Sequence, residues 1–194
     1  TWNINPHLKI KGTAGAEFNW FSFEDFKAPT TPGYESGYLQ DSKFENKMYN
    51  FELLATYNNR WGDFDFTGTF GGNIYKVDNK TTLNTAKDMQ IPDVIAIINE
   101  TSIEQNSHRK QINSLFGSVN LGWRSLVFLD ATLRGDQSST LPLDNNVYVY
   151  PSVSGSFVFS ELINRKNIMP YGKIRMSWAQ VGSDTDPYQL NHQF

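Results

Sequence analysis

The chain has 194 residues, of which 39% are apolar and 14% aromatic, with a formal net charge of −3 and no cysteine. That charge excludes the basic surface a nucleic-acid binder needs, and the missing cysteine excludes a disulfide framework or a thiolate site. No stretch approaches the roughly 18 consecutive apolar residues of a membrane-crossing helix, and the amino-terminal residues show no basic-then-apolar leader pattern. The mean hydropathy of −0.49 does not close the membrane question for strands, because every second residue of a strand can face a polar interior.

Alternation with period two dominates the chain. In the first segment Leu8, Ile10, Gly12, Ala14, Ala16, Phe18 and Trp20 share one face, and Lys9, Lys11, Thr13, Glu17 and Asn19 share the other. A second segment sets Tyr49, Phe51, Leu53, Ala55 and Tyr57 against Asn50, Glu52, Thr56 and Asn58, and a polar turn around Gly62 follows. A third sets Phe64, Phe66, Phe70 and Ile74 against Asp65, Thr67, Thr69 and Asn73. Leu115, Val119, Leu121 and Trp123 then oppose Ser114, Phe116, Ser118 and Asn120. After a tight turn near Arg124-Ser125, Val127, Leu129, Ala131 and Leu133 oppose Asp130, Thr132, Arg134 and Asp136. Val153, Phe157 and Phe159 oppose Ser152, Ser154 and Ser156, with a bulge or strand start expected at Pro151, which has no N–H for a ladder. The last segment sets Ile174, Met176 and Trp178 against Lys173, Arg175 and Ser177.

Every charged residue inside these segments falls on the face opposite the apolar one. A Lys or Arg facing lipid costs about 2–4 kcal/mol at mid-bilayer, which gives a physical reason for a charge-free face. The connections alternate in length. The long ones, Phe21–Glu45 and Val77–Lys110, read as loops, and the turns at Gly62 and Arg124 are tight. Outer-membrane barrels have long outside loops and short periplasmic turns. On that pattern the segments starting at Leu8, Phe64, Leu126 and Gly172 run outward, and the connection Glu161–Pro170 has room for a helical turn. Trp20, Tyr49 and Phe51 fall near one membrane interface, and Tyr57, Phe64 and Trp123 near the other, the two levels that amphipathic rings prefer.

The chain offers little for chemistry. His7, His108 and His192 lack ligand spacing. The run Gly182-Ser183-Asp184-Thr185-Asp186 lacks the later ligands of a calcium loop, and no nucleophile elbow, phosphate loop or dinucleotide fingerprint occurs. Asp63 and Asp65 read as solvated turn carboxylates. No enzyme and no cofactor are expected. On the polar face Glu52, Arg134, Asp136 and Arg175 are the candidate interior-facing residues, with an ion pair the plainer account of Arg134 and Asp136. Phe23, Tyr34 and Tyr38 in the first long connection are candidates for stacking on a substrate or packing on a partner or on one another.

Three stretches carry a family resemblance: Leu133-Arg134-Gly135-Asp136-Gln137-Ser138-Ser139, Tyr150-Pro151-Ser152-Val153-Ser154-Gly155-Ser156-Phe157, and Lys173-Ile174-Arg175-Met176-Ser177-Trp178-Ala179-Gln180-Val181-Gly182. In order and spacing they resemble SusC/RagA-type TonB-dependent outer-membrane transporters. Gly135, Gln137 and Ser183 stand where that family usually has Arg, Gly and Asn. The resemblance implies that residues 1–194 are a middle piece of an antiparallel transmembrane β-barrel, about seven meander strands of an expected ~22-stranded, plugged barrel. Signal peptide, plug and TonB box are not read in these residues. It implies import of oligosaccharides or peptides across the outer membrane, a SusD-like surface lipoprotein as lid, and TonB as energy source through regions other than these. From alternation alone, a soluble two-sheet sandwich binding domain is the rival.

Overall fold

The computed structural model describes residues 1–87, 101–162 and 171–182. They form one antiparallel sheet of eight strands in sequential order. The strands are β1 (Trp2–Asn3), β2 (Leu8–Lys27), β3 (Tyr38–Trp61), β4 (Phe64–Lys87), β5 (Thr101–Trp123), β6 (Val127–Ser138), β7 (Val147–Phe157) and β8 (Ile174–Ala179). A meander arises wherever consecutive strands are joined by turns tight enough to send the chain straight back. Gly62 supplies positive φ (59°) between β3 and β4; Arg124 and Ser125 supply it (51° and 57°) between β5 and β6. The expected tight turns are therefore present. The two-sheet sandwich is not: all eight strands share one sheet.

Three expectations need correction. Phe21–Glu45 is not a long loop, since β2 continues to Lys27 and β3 begins at Tyr38. The short connection between them folds on Thr30, Gly33 and Gly37, all at positive φ. Likewise β4 runs on to Lys87 and β5 starts at Thr101; the apolar run Val94–Ile98 lies outside the described residues. Pro151 marks neither a bulge nor a strand start. It sits inside β7 opposite Leu133, and its carbonyl accepts the Gln180 N–H at 3.0 Å. Its missing N–H thus faces β8 just beyond the last β8 pair, Ser152↔Ala179, where the ladder asks nothing of it. In the Glu161–Pro170 connection a 3-10 helix covers Phe159–Leu162, and the remainder lies outside the described residues. Strand β1 was not anticipated: Asn5 accepts the N–H groups of His7 and Leu8 (2.8 Å each) and folds Trp2–Asn3 back onto Lys9–Ile10.

The chain divides into two compact units, and β2 to β5 contribute to both. The larger comprises Thr1–Gly15, Asn50–Tyr75 and Gln111–Phe194, the smaller Ala16–Tyr49 and Lys76–Lys110. In the larger unit β6 and β7 are 12 and 11 residues long, near the 9–11 residues of a tilted membrane crossing.

The distribution of polarity is inverted relative to a water-soluble fold. Among the described residues the buried hydrophobic side chains are Leu39, Ala86 and Val158, and the buried polar ones are Ser42, Ser114, Ser138, Thr140, Ser156 and Ser160. Leu53, Phe70, Leu115, Leu133, Met176 and Trp178 are all more than half exposed. Leaving such side chains in water forfeits about 1.5–3 kcal/mol each relative to burial.

Candidate functional site

Register in the larger unit aligns like with like. Leu121, Leu129, Gly155 and Met176 stand in one row across β5 to β8, and Val119, Ala131, Val153 and Trp178 in another. The intervening rows are polar: Asn120, Asp130, Ser154 and Ser177, then Ser118, Thr132 and Ser152. Alternate residues of a strand point to opposite faces, so matched register turns the separate patterns of β5 to β8 into two continuous surfaces. The apolar one carries no charged residue on any described strand of this unit.

The polar surface is hydrogen-bonded to itself. Asp130 accepts from Asn120 Nδ2 through Oδ1 and from Ser154 Oγ through Oδ2, the latter at 3.1 Å. Thr132 and Ser152 hydroxyls meet at 2.6 Å. Arg134 donates through Nε to Asp136 (2.8 Å) and through Nη2 to Ser114 Oγ (2.9 Å), and its guanidinium lies 5.6 Å from the Phe116 ring centroid. Tyr150 and Tyr148 stand opposite Arg134 and Asp136 on β7. Lys173 lies over the Phe128 ring at 5.1 Å. Arg134 and Asp136 thus satisfy each other's charge, and Arg134 retains 45% of its side-chain exposure.

At the turn end of the larger unit, rings cluster on the apolar face: Tyr57 with Phe66 (6.1 Å), Trp61 with Phe66 (5.7 Å), and His7 with Tyr57 (6.1 Å). Two turns are tied together there. Arg124 Nε donates to Asp63 at 2.7 Å, and Arg60 pairs with Asp65 at 3.4 Å. Asp63 and Asp65 are exposed, as expected, but each has an arginine partner.

In the smaller unit Phe18 meets Tyr49 edge-on (5.6 Å) and stacks with Trp20 (6.0 Å), and Phe21 meets Phe44 (5.9 Å). Tyr34 and Tyr38 pack together at 5.3 Å, and the Tyr38 hydroxyl donates to Gln40. Beside them the hydrogen bond and charge of Asp25, at 2.7 Å, hold the Lys27 ammonium above its usual value.

No family model matches the chain, and no curated protein sequence does. Solved structures do. One of the RagAB peptide transporter superposes with a TM-score of 0.78 at 17% identity, covering 90% of this chain and 21% of that one. Another, of the RagAB peptide importer in its closed-closed state, gives 0.81 at 19% identity, covering 98% and 22%. The open-open state gives 0.77 at 19%, covering 91% and 20%. The fold is shared with a peptide transporter. This chain spans about a fifth of the RagAB chains it matches. All three structures are of a transporter, not an enzyme.

Against that RagAB-like sheet, the predicted residues fall into separate places. Arg134 and Asp136 are brought together. Arg175 stands opposite Ser156 at the β7–β8 edge, and Glu52 is half-buried on β3, away from the pair. Tyr34 and Tyr38 meet; Phe23 is exposed on β2. Ser114 and Phe116, which hold Arg134, were not anticipated as its partners, because they come from the neighbouring strand. Among the described residues no cluster of three potential metal ligands occurs.

Proposed function

We propose that residues 1–194 form part of the wall of an outer-membrane β-barrel that imports peptides or oligosaccharides. The observation that carries this is the inversion of polarity: an exposed, charge-free apolar face backed by a hydrogen-bonded polar one, on a single meander of membrane-scale strands. A bilayer recovers the apolar free energy that water forfeits, and a hydrated lumen solvates the opposite face. Glu52, Arg134, Asp136 and Arg175 then line the lumen, with Arg134 and Asp136 serving as a structural pair.

The likeness of fold to RagAB and the motif resemblance to SusC/RagA-type transporters support import driven by TonB, through regions other than these residues. They also support a SusD-like lipoprotein lid. The connection bearing Tyr34, with Tyr38 at the start of β3 and Phe23 on β2, is the surface we assign to the lid or its cargo.

Deleting Gly33–Gln40 in the full-length transporter tests this. The barrel is expected to stay inserted while co-purification of the lipoprotein and growth on peptide or glycan both fall. Wild-type association and growth, with the deletion confirmed in the membrane, would show that the connection is passive cover.

A further inference from the structure

Along each of three neighbouring strands the apolar face ends at a definite residue, and the next side chain on that face is polar or charged. On β3, Phe51 and Tyr49 are followed by Lys47 and Glu45; on β4, Ile74 is followed by Lys76 and Asp78; on β5, Leu115 is followed by Asn113, Gln111 and Arg109. The boundary coincides with the start of the smaller unit, whose residues include Tyr49, Lys47, Lys76 and Arg109. Arg109 reaches Asp78 across β4 and β5 at 3.2 Å, and Lys47 pairs with Glu45 at 3.3 Å. Lys76 is exposed and makes no ion pair among the described residues.

Given the membrane reading above, on which this inference rests, we infer that Lys76, Lys47 and Arg109 bind the phosphate groups of a lipid in the outer leaflet. Lys47 and Arg109 each already hold a carboxylate, whereas Lys76, the first residue past the apolar face on β4, brings a positive charge with no carboxylate partner among the described residues. The carboxylates do not block the site. Exposed ion pairs are worth about 0–1 kcal/mol, whereas a phosphate presents several acceptor oxygens and makes stronger charge-assisted bonds. Lys and Arg lay their methylenes along apolar surface and hold the charge at headgroup level. Trp20 and Tyr49 supply the interfacial rings expected at that depth. A protein lid is a poorer occupant, because the boundary lies at the opposite end of the smaller unit's β3 segment from the turn that precedes Tyr38.

The probe is lipid A, whose sugar carries phosphates, retained by the detergent-purified full-length transporter and quantified by mass spectrometry. Lys76→Gln should lower retention about fivefold, and the triple change Lys47→Gln, Lys76→Gln, Arg109→Gln further. Asp78→Asn should raise it, a gain that misfolding does not produce. Dephosphorylated lipid A should be retained weakly by every variant, and inorganic phosphate at equal concentration should not displace the lipid. Equal retention by wild type and the triple variant, both inserted as heat-modifiable barrels, overturns the inference and leaves the membrane reading intact. Displacement by inorganic phosphate also overturns it, since the site would then be for free anion. Failure of the wild type to insert as a barrel removes the membrane reading, and this inference with it.

Discussion

Leu129 and Thr132 lie on the same strand and point to opposite faces. Leu129 is 45% exposed in the apolar row, while Thr132 shares a hydrogen bond with Ser152. If the apolar row faces lipid, Leu129→Arg places a cation in hydrocarbon at about 2–4 kcal/mol, whereas Thr132→Arg reaches a hydrated lumen. The expected outcome is a marked loss of heat-modifiable barrel for Leu129→Arg and a mild loss for Thr132→Arg, read as folded protein in the outer-membrane fraction. Equal recoveries would contradict the assignment of faces. A small residue is required at Gly71. A Cβ on Gly71 would stand 2.5 Å from Leu54 Cδ2 and 2.8 Å from the Leu53 carbonyl, so any side chain there displaces backbone. Arg134 and Asp136 were legible as an i, i+2 pair on one face. Their further partners Ser114 and Phe116 were not, because cross-strand register is set by turns and ladders that side-chain alternation does not encode.

At the scale of elements, the turns decide register and the side-chain chemistry decides how far a strand can be read. Arg124 and Ser125 both adopt left-handed backbone without being glycine, at a cost of about 1–2 kcal/mol per residue. Arg124 also holds Asp63 and is best kept; Ser125 makes no comparable contact. Ser125→Gly is therefore expected to stabilise the barrel by about 1 kcal/mol, seen as a higher urea midpoint for the full-length transporter in lipid vesicles. An unchanged or lower midpoint would mean that the turn carries no such strain. The alternating segments and both tight turns were plain in the sequence, since a strand with one apolar and one polar face must alternate. The parts of β2 to β5 that belong to the smaller unit were not. There Asp41, Lys43, Glu45 and Lys47 replace the apolar stripe, so the pattern reads as a polar loop although the backbone ladder continues. Ladder hydrogen bonds need no apolar side chain, and alternation reports only where an apolar surround ends. The missed β1 had a local signal in Asn5-Pro6, a turn dipeptide closed here by the Asn5 side chain.

At the scale of the molecule, an eight-stranded sheet, with an apolar and a polar face in its larger unit, stands in place of the closed core of a soluble domain. Among the described residues, Leu39, Ala86 and Val158 are too few buried hydrophobic side chains to hold such a sheet together in water. If the face bearing Leu129 lies in lipid, the ladder, the polar network on one face and an apolar solvent on the other supply what a core would. The central claim is that the face bearing Leu129 lies in the bilayer. Single spin labels placed in turn at Val127 through Ser138 of the full-length transporter, reconstituted in lipid, test it most directly. This stretch has no native cysteine to compete for the label. Oxygen, which partitions into lipid, should relax labels at Val127, Leu129, Ala131 and Leu133, while a water-soluble nickel chelate should not reach them. The intervening positions should show the reverse or be shielded from both, giving a period of two along β6. A chelate that reaches both faces equally, or protects both without alternation, would contradict the account.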